Sequence, residues 1–329
     1  MQIVLCYPVE PRHIEQIAAV APGVDIIDAG QERIGEKILE ADIFCGHAKV
    51  PVPWEQVVDC GRLRWIQSSA AGLDHCLVPC VIESKIVVTS ASGLFANQVA
   101  EQTLALLLGL LRNLPTFFRQ QQAKEFVRRP TRDLTGTTIG IIGFGGNGRR
   151  IAEVLAPFHT KIFATDLFIR NKPTHVAELW QADRLDELLP LVDVLILCVP
   201  LNEQTHGMIA APQLARLKPR ALLINVARGP IVVEQDLIAA IESGRLGGAG
   251  LDVTEIEPLP KSSPLWEMSQ VLITPHVGAQ AATRYDDVTD FFCENLRRYL
   301  ACQEMLNVVD RKLGFPRDTT DWTPPRKIR

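Results

Sequence analysis

Thr138-Ile139-Gly140-Ile141-Ile142-Gly143-Phe144-Gly145-Gly146-Asn147-Gly148, then a helix-compatible run, then Lys161-Ile162-Phe163-Ala164-Thr165-Asp166, decides the fold of this chain. It reads as a short apolar strand, a glycine turn, a helix start and a second strand closed by an acid. The glycines fall as G-x-G-x-x-G at Gly143, Gly145 and Gly148. The first permits a tight turn, the second lets backbone approach a pyrophosphate, and the third lets the helix pack against the strand. Free N–H groups at the helix N-terminus then face the phosphates. Asp166 lies 18 residues beyond Gly148, where a carboxylate can accept hydrogen bonds from a ribose diol. Its charge would repel a 2′-phosphate, so NAD is expected ahead of NADP. Arg170 and Lys172, just beyond, could accommodate that phosphate, although a solvated loop face is the commoner reading of such residues.

Working outward, 329 residues suit two domains better than one. With 47% hydrophobic and 22% charged residues, the chain has the make-up of a soluble globular protein able to bury sizeable cores. A formal net charge of −4 and dispersed Lys and Arg give no electrostatic reason to expect nucleic acid or an anionic membrane. The eight cysteines lack a metal-type C-x-x-C pair, so they are expected as reduced thiols, and no metal is expected. No signal peptide is evident before Ile3-Val4-Leu5, and the longest apolar helix is too short to span a bilayer. The expected setting is cytoplasmic.

Before the glycine turn, residues 3–7, 43–46, 64–67 and 86–89 are short apolar runs separated by helix-compatible segments such as 11–20 and 32–41. Strands alternating with helices imply a parallel sheet covered on both faces. A long apolar helix is expected from Asn97 to about Arg119, and a final helix from about Ala281 to Ala301. Both are apolar enough to suggest burial across a two-fold axis, hence a homodimer. After Asp166, residues 193–199, 221–226, 248–252 and 271–274 are near-continuous apolar runs, as a sheet buried on both faces requires. These divide the chain into a first domain of residues 1–96 plus 290–329 and a nucleotide domain of residues 97–289. The tail from Arg311, with Pro316, Pro324 and Pro325, is expected to be poorly ordered.

Three polar residues follow strand ends of the second domain: Arg228, Glu257 and His276. Hydride transfer to a ketone needs a proton donor for its oxygen, and histidine suits that near neutral pH. A carboxylate beside it stabilises the imidazolium and fixes its tautomer. A guanidinium can polarise the carbonyl and grip a carboxylate through two parallel hydrogen bonds. The set matches reversible reduction of a 2-keto acid.

The chain resembles the D-isomer-specific 2-hydroxyacid dehydrogenase family over nearly everything from Met1 to about Val309. The resemblance rests on Gly143–Gly148, Asn225-Val226-Ala227-Arg228-Gly229, Gly250-Leu251-Asp252-Val253 through Glu257-Pro258-Leu259-Pro260, and Thr274-Pro275-His276-Val277-Gly278. It implies an α/β fold of two doubly wound parallel-sheet domains, a Rossmann NAD domain inserted into a discontinuous flavodoxin-like substrate domain. It also implies an NAD-dependent oxidoreductase in which His276 is the acid/base, Glu257 its partner and Arg228 the substrate anchor. Cofactor contacts are implied at Gly146 and Asn147 (pyrophosphate), Val199 and Pro200 (adenine), Val226 and Ala227 (nicotinamide), and Asp252 near the carboxamide, with Gly278 in the same set. The loop Ser68–Asp74 matches the one whose backbone N–H groups, at Ala71 and Gly72, hold the substrate carboxylate. The family's frequent Arg-Ile pair is replaced here by Gly146-Asn147, leaving Arg149 or Arg150 as substitutes for the arginine. Which 2-keto acid is bound is not encoded in any motif; His47, Lys49, Trp54, His75 and Trp266 are candidates to shape a pocket, with ordinary packing or surface the commoner role for each. Two alternatives share these motifs: an NAD(H)-sensing corepressor-like interaction protein and a phosphite-oxidising relative.

Overall fold

The structure, a computed structural model, describes residues 1–317. The chain divides into two compact units, Met1–Phe95 together with the chain from Ala281 onward, and Ala96–Gln280.

The first unit holds a five-stranded parallel sheet of β1 (Gln2–Cys6), β2 (Asp25–Asp28), β3 (Ile43–Gly46), β4 (Trp65–Ser68) and β5 (Val87–Thr89), in the order β2-β1-β3-β4-β5. This is the flavodoxin-like order, with its reversal between β1 and β3. Period-two alternation splits the strands between two faces. Val4, Phe44, Ile66 and Val88 join one core with Ile34, Trp54 and Val57. On the other face Trp65 packs against Phe292 and Tyr299 of the helix Arg284–Leu300 (ring centroids 5.3 Å in each case). β2 was not anticipated: its Asp-Ile-Ile-Asp sequence is an edge strand with exposed ends and only two apolar residues.

The second unit holds a seven-stranded parallel sheet of β6 (Thr138–Ile142), β7 (Lys161–Asp166), β8 (Glu178–Gln181), β9 (Val194–Leu197), β10 (Ala221–Asn225), β11 (Leu246–Leu251) and β12 (Val271–Ile273), in the order β12-β11-β10-β9-β6-β7-β8. β8 is another two-apolar-residue edge strand that the apolar pattern did not reveal. The order reverses at β6, the switch point where doubly wound sheets bind ligands. Ile139, Ile141, Val194, Ile196, Leu222 and Ile224 face one core with Leu106, Leu107 and Ile151. Ile142, Leu195, Leu197, Leu223 and Leu251 face the other with Leu214, Leu237 and Ile241. Helices therefore cover both faces.

Three expectations are corrected. The helix expected over 97–119 is two helices, Ala96–Leu111 and Leu114–Ala123. The break falls where Asn113 takes a left-handed conformation (φ 59°) two residues before Pro115, which cannot supply a backbone donor. The final helix begins at Arg284 and belongs whole to the first unit, so a boundary at residue 290 would cut it. Its first turns are tied there by His13 Nε2 to Asp286 (2.7 Å), Tyr7 Oη to Thr289 (2.9 Å) and Gln16 to Asp290 (2.5 Å). The tail is ordered as far as it is described. β13 (Val309–Asp310) pairs antiparallel with β14 (Phe315–Pro316), and the Arg311 guanidinium donates to the carbonyls of Ile82, Ser84 and Ile86. Residues 318–329, with Pro324 and Pro325, lie outside the described residues.

The apolar faces that suggested a partner chain are buried within their own units: Val99, Ala100, Leu106, Leu107 and Leu111 in one, and Val288, Phe291, Phe292 and Leu296 in the other. Among the described residues no helix is long and apolar enough to cross a membrane, all eight cysteines are free thiols, and no three or more His, Cys, Asp or Glu groups are gathered to hold a metal.

Candidate active site

Strand register brings the sequence motifs of the second unit to one edge. Ile142 pairs with Leu197, Leu197 with Asn225, Asn225 with Leu251, and Leu251 with Ile273. The chain therefore leaves the sheet at Gly143, Cys198-Val199-Pro200, Val226-Ala227-Arg228, Asp252 and Thr274 along a single carboxyl edge. Gly143 turns there with φ +90°, and a Cβ on it would lie 2.8 Å from the Cys198 carbonyl. A Cβ on Gly148 would lie 2.1 Å from the Gly143 oxygen, so the helix Gly146–Leu155 can seat against the turn only with glycine there. Gly145 differs: it is exposed, and nothing lies within 4 Å of a Cβ built on it. A cradle closed on the protein side and open on the other fits a dinucleotide pyrophosphate, with the Gly146 and Asn147 N–H groups in the first helical turn.

Asp166 ends β7, but its carboxylate is engaged by backbone: Oδ2 accepts the Phe144 N–H (2.5 Å) and Oδ1 the Phe168 N–H (2.8 Å). Arg149 lies over the Phe144 ring (4.9 Å to its centroid) and donates to the Asn171 carbonyl, while Arg150 pairs with Glu153 (2.7 Å).

The candidate catalytic residues meet in part through their loops. His276 Nδ1 lies 2.8 Å from Glu257 Oε2, and Glu257 Oε1 accepts the Thr254 N–H (3.2 Å). Burial pushes the Glu257 carboxyl up, but the His276 hydrogen bond and charge, the Thr254 N–H and the field of Arg228 outweigh it, leaving it below its ordinary range. Arg228 is thus an electrostatic neighbour of the pair, and its Nη1 donates to the Ala227 carbonyl (2.8 Å). Its loop is shaped by Asn225, whose side chain accepts the Ala227 N–H (3.1 Å) and donates to the Arg228 carbonyl (3.0 Å). Gly229 then lets this loop press on the Glu257 loop, since a Cβ there would sit 1.8 Å from the Thr254 oxygen. Backbone cannot yield as a flexible side chain can. Gly229→Ala is expected to force Arg228 and Glu257 apart, costing about 1–3 kcal/mol of stability as overpacking does and most of the activity. Thermal melting and steady-state kinetics on the same preparation check it.

His276 itself has φ +52°, an uncommon conformation for a non-glycine residue. Asp252 over-determines the turn that holds it. The carboxylate is buried; Oδ1 accepts the Val277 N–H (3.0 Å) and the Thr274 hydroxyl (2.6 Å), and Oδ2 the Gly278 N–H (2.7 Å). Gln102 donates to Thr274 Oγ1 (2.8 Å), which directs the hydroxyl proton at Asp252. Asn225, Gly229, Thr254, Thr274 and Gln102 were not singled out from sequence. Only Asn225, a turn-forming amide closing an apolar strand, carried a local signal.

Val199 and Val226 are partly buried at the same edge and Pro200 is exposed, whereas Ala227 is buried. Ala71 and Gly72 belong to the first unit, in the loop after β4. There Ser68 Oγ accepts the Ala70 N–H (3.1 Å), and Leu73 anchors the following turn. In the same unit the His47 and His75 rings stack with centroids 3.9 Å apart, and Trp54 Nε1 donates to the His75 carbonyl (3.1 Å).

A doubly wound parallel sheet with a glycine cradle at its switch point has the architecture of a dinucleotide-binding unit, and its strand ends carry groups suited to acid/base chemistry. The family profile for the D-isomer specific 2-hydroxyacid dehydrogenase NAD binding domain matches residues 104–278, and the chain belongs to that family. An uncharacterised protein of Corynebacterium melassecola is 33% identical over 313 residues, 93% of this chain and 98% of that protein. A glyoxylate/hydroxypyruvate reductase B of Yersinia pestis is 35% identical over 234 residues, 68% of this chain and 71% of that one. A D-isomer specific 2-hydroxyacid dehydrogenase of Xanthobacter autotrophicus, solved with NADPH and MES, has a TM-score of 0.80 at 29% identity, covering 95% of this chain and 99% of that one. The chain spans about half the length of the D-3-phosphoglycerate dehydrogenases it matches. The expectation that placed NADP below NAD does not stand: the solved relative holds NADPH, and the Asp166 carboxylate that carried the ranking faces backbone N–H groups of its own chain.

Proposed function

We propose that this chain interconverts a D-2-hydroxy acid and its 2-keto acid, with His276 as acid/base, Glu257 as its charge partner and Arg228 as the substrate anchor. The observation that carries this reading is the 2.8 Å His276–Glu257 contact beside Arg228, on the strand edge that also bears the glycine cradle. The nicotinamide, when bound, supplies or accepts the hydride. In reduction, His276 Nε2 delivers a proton to the carbonyl oxygen while Nδ1 stays on Glu257, which holds the ring's orientation and stabilises its protonated form. Arg228 grips the substrate carboxylate and draws density from the carbonyl. For the first unit, the family resemblance assigns a substrate carboxylate to the N–H groups at Ala71 and Gly72. Gly143, Gly145, Gly146, Asn147 and Gly148 are assigned to the pyrophosphate, Asp166, Val199 and Pro200 to the adenosine, and Val226 and Ala227 to the nicotinamide. Asp252 and Gly278 serve that end of the site through the turn that carries His276.

Likeness to the glyoxylate/hydroxypyruvate reductase puts short 2-keto acids first. Oxidation of NADH and NADPH, run in parallel over glyoxylate, hydroxypyruvate, pyruvate and longer 2-keto acids, tests the proposal. Turnover is expected with a short 2-keto acid, and the ratio of kcat/KM between the cofactors assigns the nucleotide. Absence of turnover with every acid and both cofactors would overturn the reading.

A further inference from the structure

Glu234 and Glu255 exchange backbone hydrogen bonds. Glu255 Oε2 accepts the Glu234 N–H (3.0 Å), and Glu234 Oε2 accepts the Glu255 N–H (3.3 Å). Glu234 opens the helix Glu234–Glu242, so its N–H is one of the donors without an intrahelical acceptor, and the positive end of the helix favours carboxylates there. The arrangement still sets two like charges together. Burial, followed by the charge of Glu255, holds the Glu234 carboxyl above its ordinary range. A serine or aspartate at the preceding position would cap the helix without that repulsion. What the reciprocal pair adds is a tie between the helix and the loop two residues ahead of Glu257.

That loop is gripped elsewhere as well. Thr254 Oγ1 donates to the Ile256 carbonyl (2.8 Å), and Gly229 presses against the Thr254 carbonyl from the Arg228 side. The Glu234–Glu255 pair ties this loop to the first turn of a regular helix. Glu257 is an exposed loop residue, with a side chain 39% accessible, and its carboxylate is held by His276 and by the Thr254 N–H of the same loop.

We propose that Glu234 and Glu255 are positioning residues, a two-carboxylate clasp that fixes the 254–257 loop so that Glu257 meets His276. The proposal rests on the acid/base reading above. It reaches the chemistry only through Glu257, and neither glutamate touches substrate.

The test uses the full chain carrying Glu255→Ala, Glu255→Gln, Glu234→Ala or Glu234→Gln. Losing one clasp bond in Glu255→Ala is expected to lower kcat about three- to tenfold, the equivalent of one net hydrogen bond, with KM for the cofactor unchanged. The glutamine variant keeps a carbonyl oxygen for the same N–H and removes the repulsion, so it is expected to restore kcat to within about twofold on the same hydrogen-bond arithmetic. Followed by NMR, the His276 Nδ1 proton held by Glu257 should exchange with solvent faster in Glu255→Ala than in the unaltered protein, because a loosened carboxylate holds that hydrogen bond less of the time. The exchange measurement needs no turnover, so it reads the clasp even if no 2-keto acid is a substrate; failure of the substrate panel would overturn the functional reading alone. Should Glu255→Ala not fold, Glu234→Ala against Glu234→Gln gives the same comparison. An unchanged exchange rate of the His276 Nδ1 proton in the alanine variant overturns the proposal, as does a glutamine variant that falls as far as alanine.

Discussion

His276→Asn is expected to lower kcat for 2-keto acid reduction by about 10²–10⁴-fold, the usual contribution of a positioned acid/base, while leaving the cofactor Kd unchanged. Asparagine is the informative replacement because it tolerates a left-handed backbone, and residue 276 has φ +52°. Alanine would mix backbone strain into the result. The pH profile supplies a second readout. The folded-state carboxyl of Glu257 lies below its ordinary range, so its contribution is present above the unfolded value and is lost as pH falls through the depressed one. Glu257 therefore stays ionised down through the ordinary carboxylate range, and the loss of activity that its protonation causes falls below that range. In Glu257→Gln that acid-side loss should be absent. At 45% and 39% side-chain exposure the pair is well solvated, so its effect belongs in catalysis rather than in stability. A His276→Asn protein with kcat within threefold of the unaltered chain would remove the residue from the mechanism.

How much of this was readable beforehand followed from physical locality. β6, β9, β10 and β11 announced themselves because strands buried on both faces must be apolar without a break. β2 and β8 did not, because an edge strand with two apolar residues looks like a loop. The break at Asn113 was hidden by the apolar residues on either side of it, although Pro115 marked the place. Arg228, Glu257 and His276 could be singled out because chemistry limits which residue types can serve at a strand end. Their supports were not found. That Gly229 lies against Thr254, or that Asp252 accepts three bonds from residues 22 to 26 positions away, is a property of two loops meeting, and neither loop encodes it alone. The same blindness ranked NAD over NADP from the charge of Asp166 alone: its oxygens also accept the N–H groups of Phe144 and Phe168, with lone pairs left over for a ribose hydroxyl, and a solved relative holds NADPH.

Asp252→Asn should damage the site nearly as much as Asp252→Ala. In the alanine variant the Val277 and Gly278 N–H groups and the Thr274 hydroxyl lose their acceptor together. At about 1–3 kcal/mol for each buried donor left unpaired, less what water recovers in the vacated space, the loss is about 3–5 kcal/mol. For a unit of this size that lowers the melting temperature by about 10 °C or more. Asparagine fills the same volume but has one acceptor oxygen. Facing Val277 and Thr274, that oxygen leaves the amide NH₂ opposed to the Gly278 N–H, donor against donor. Turned the other way it opposes the amide to the Val277 N–H, and although the Thr274 oxygen has a second lone pair for the amide, its hydroxyl proton then loses its acceptor at residue 252. With the turn released, the backbone at His276 loses two of the contacts that hold φ +52°, and the imidazole leaves the Glu257 carboxylate. The expected result is a kcat loss close to that of His276→Asn accompanied by a lowered melting temperature, which His276→Asn should not show. Calorimetry beside steady-state kinetics separates the two, and an Asp252→Asn protein with unaltered melting would mean that the turn is held by something other than this carboxylate.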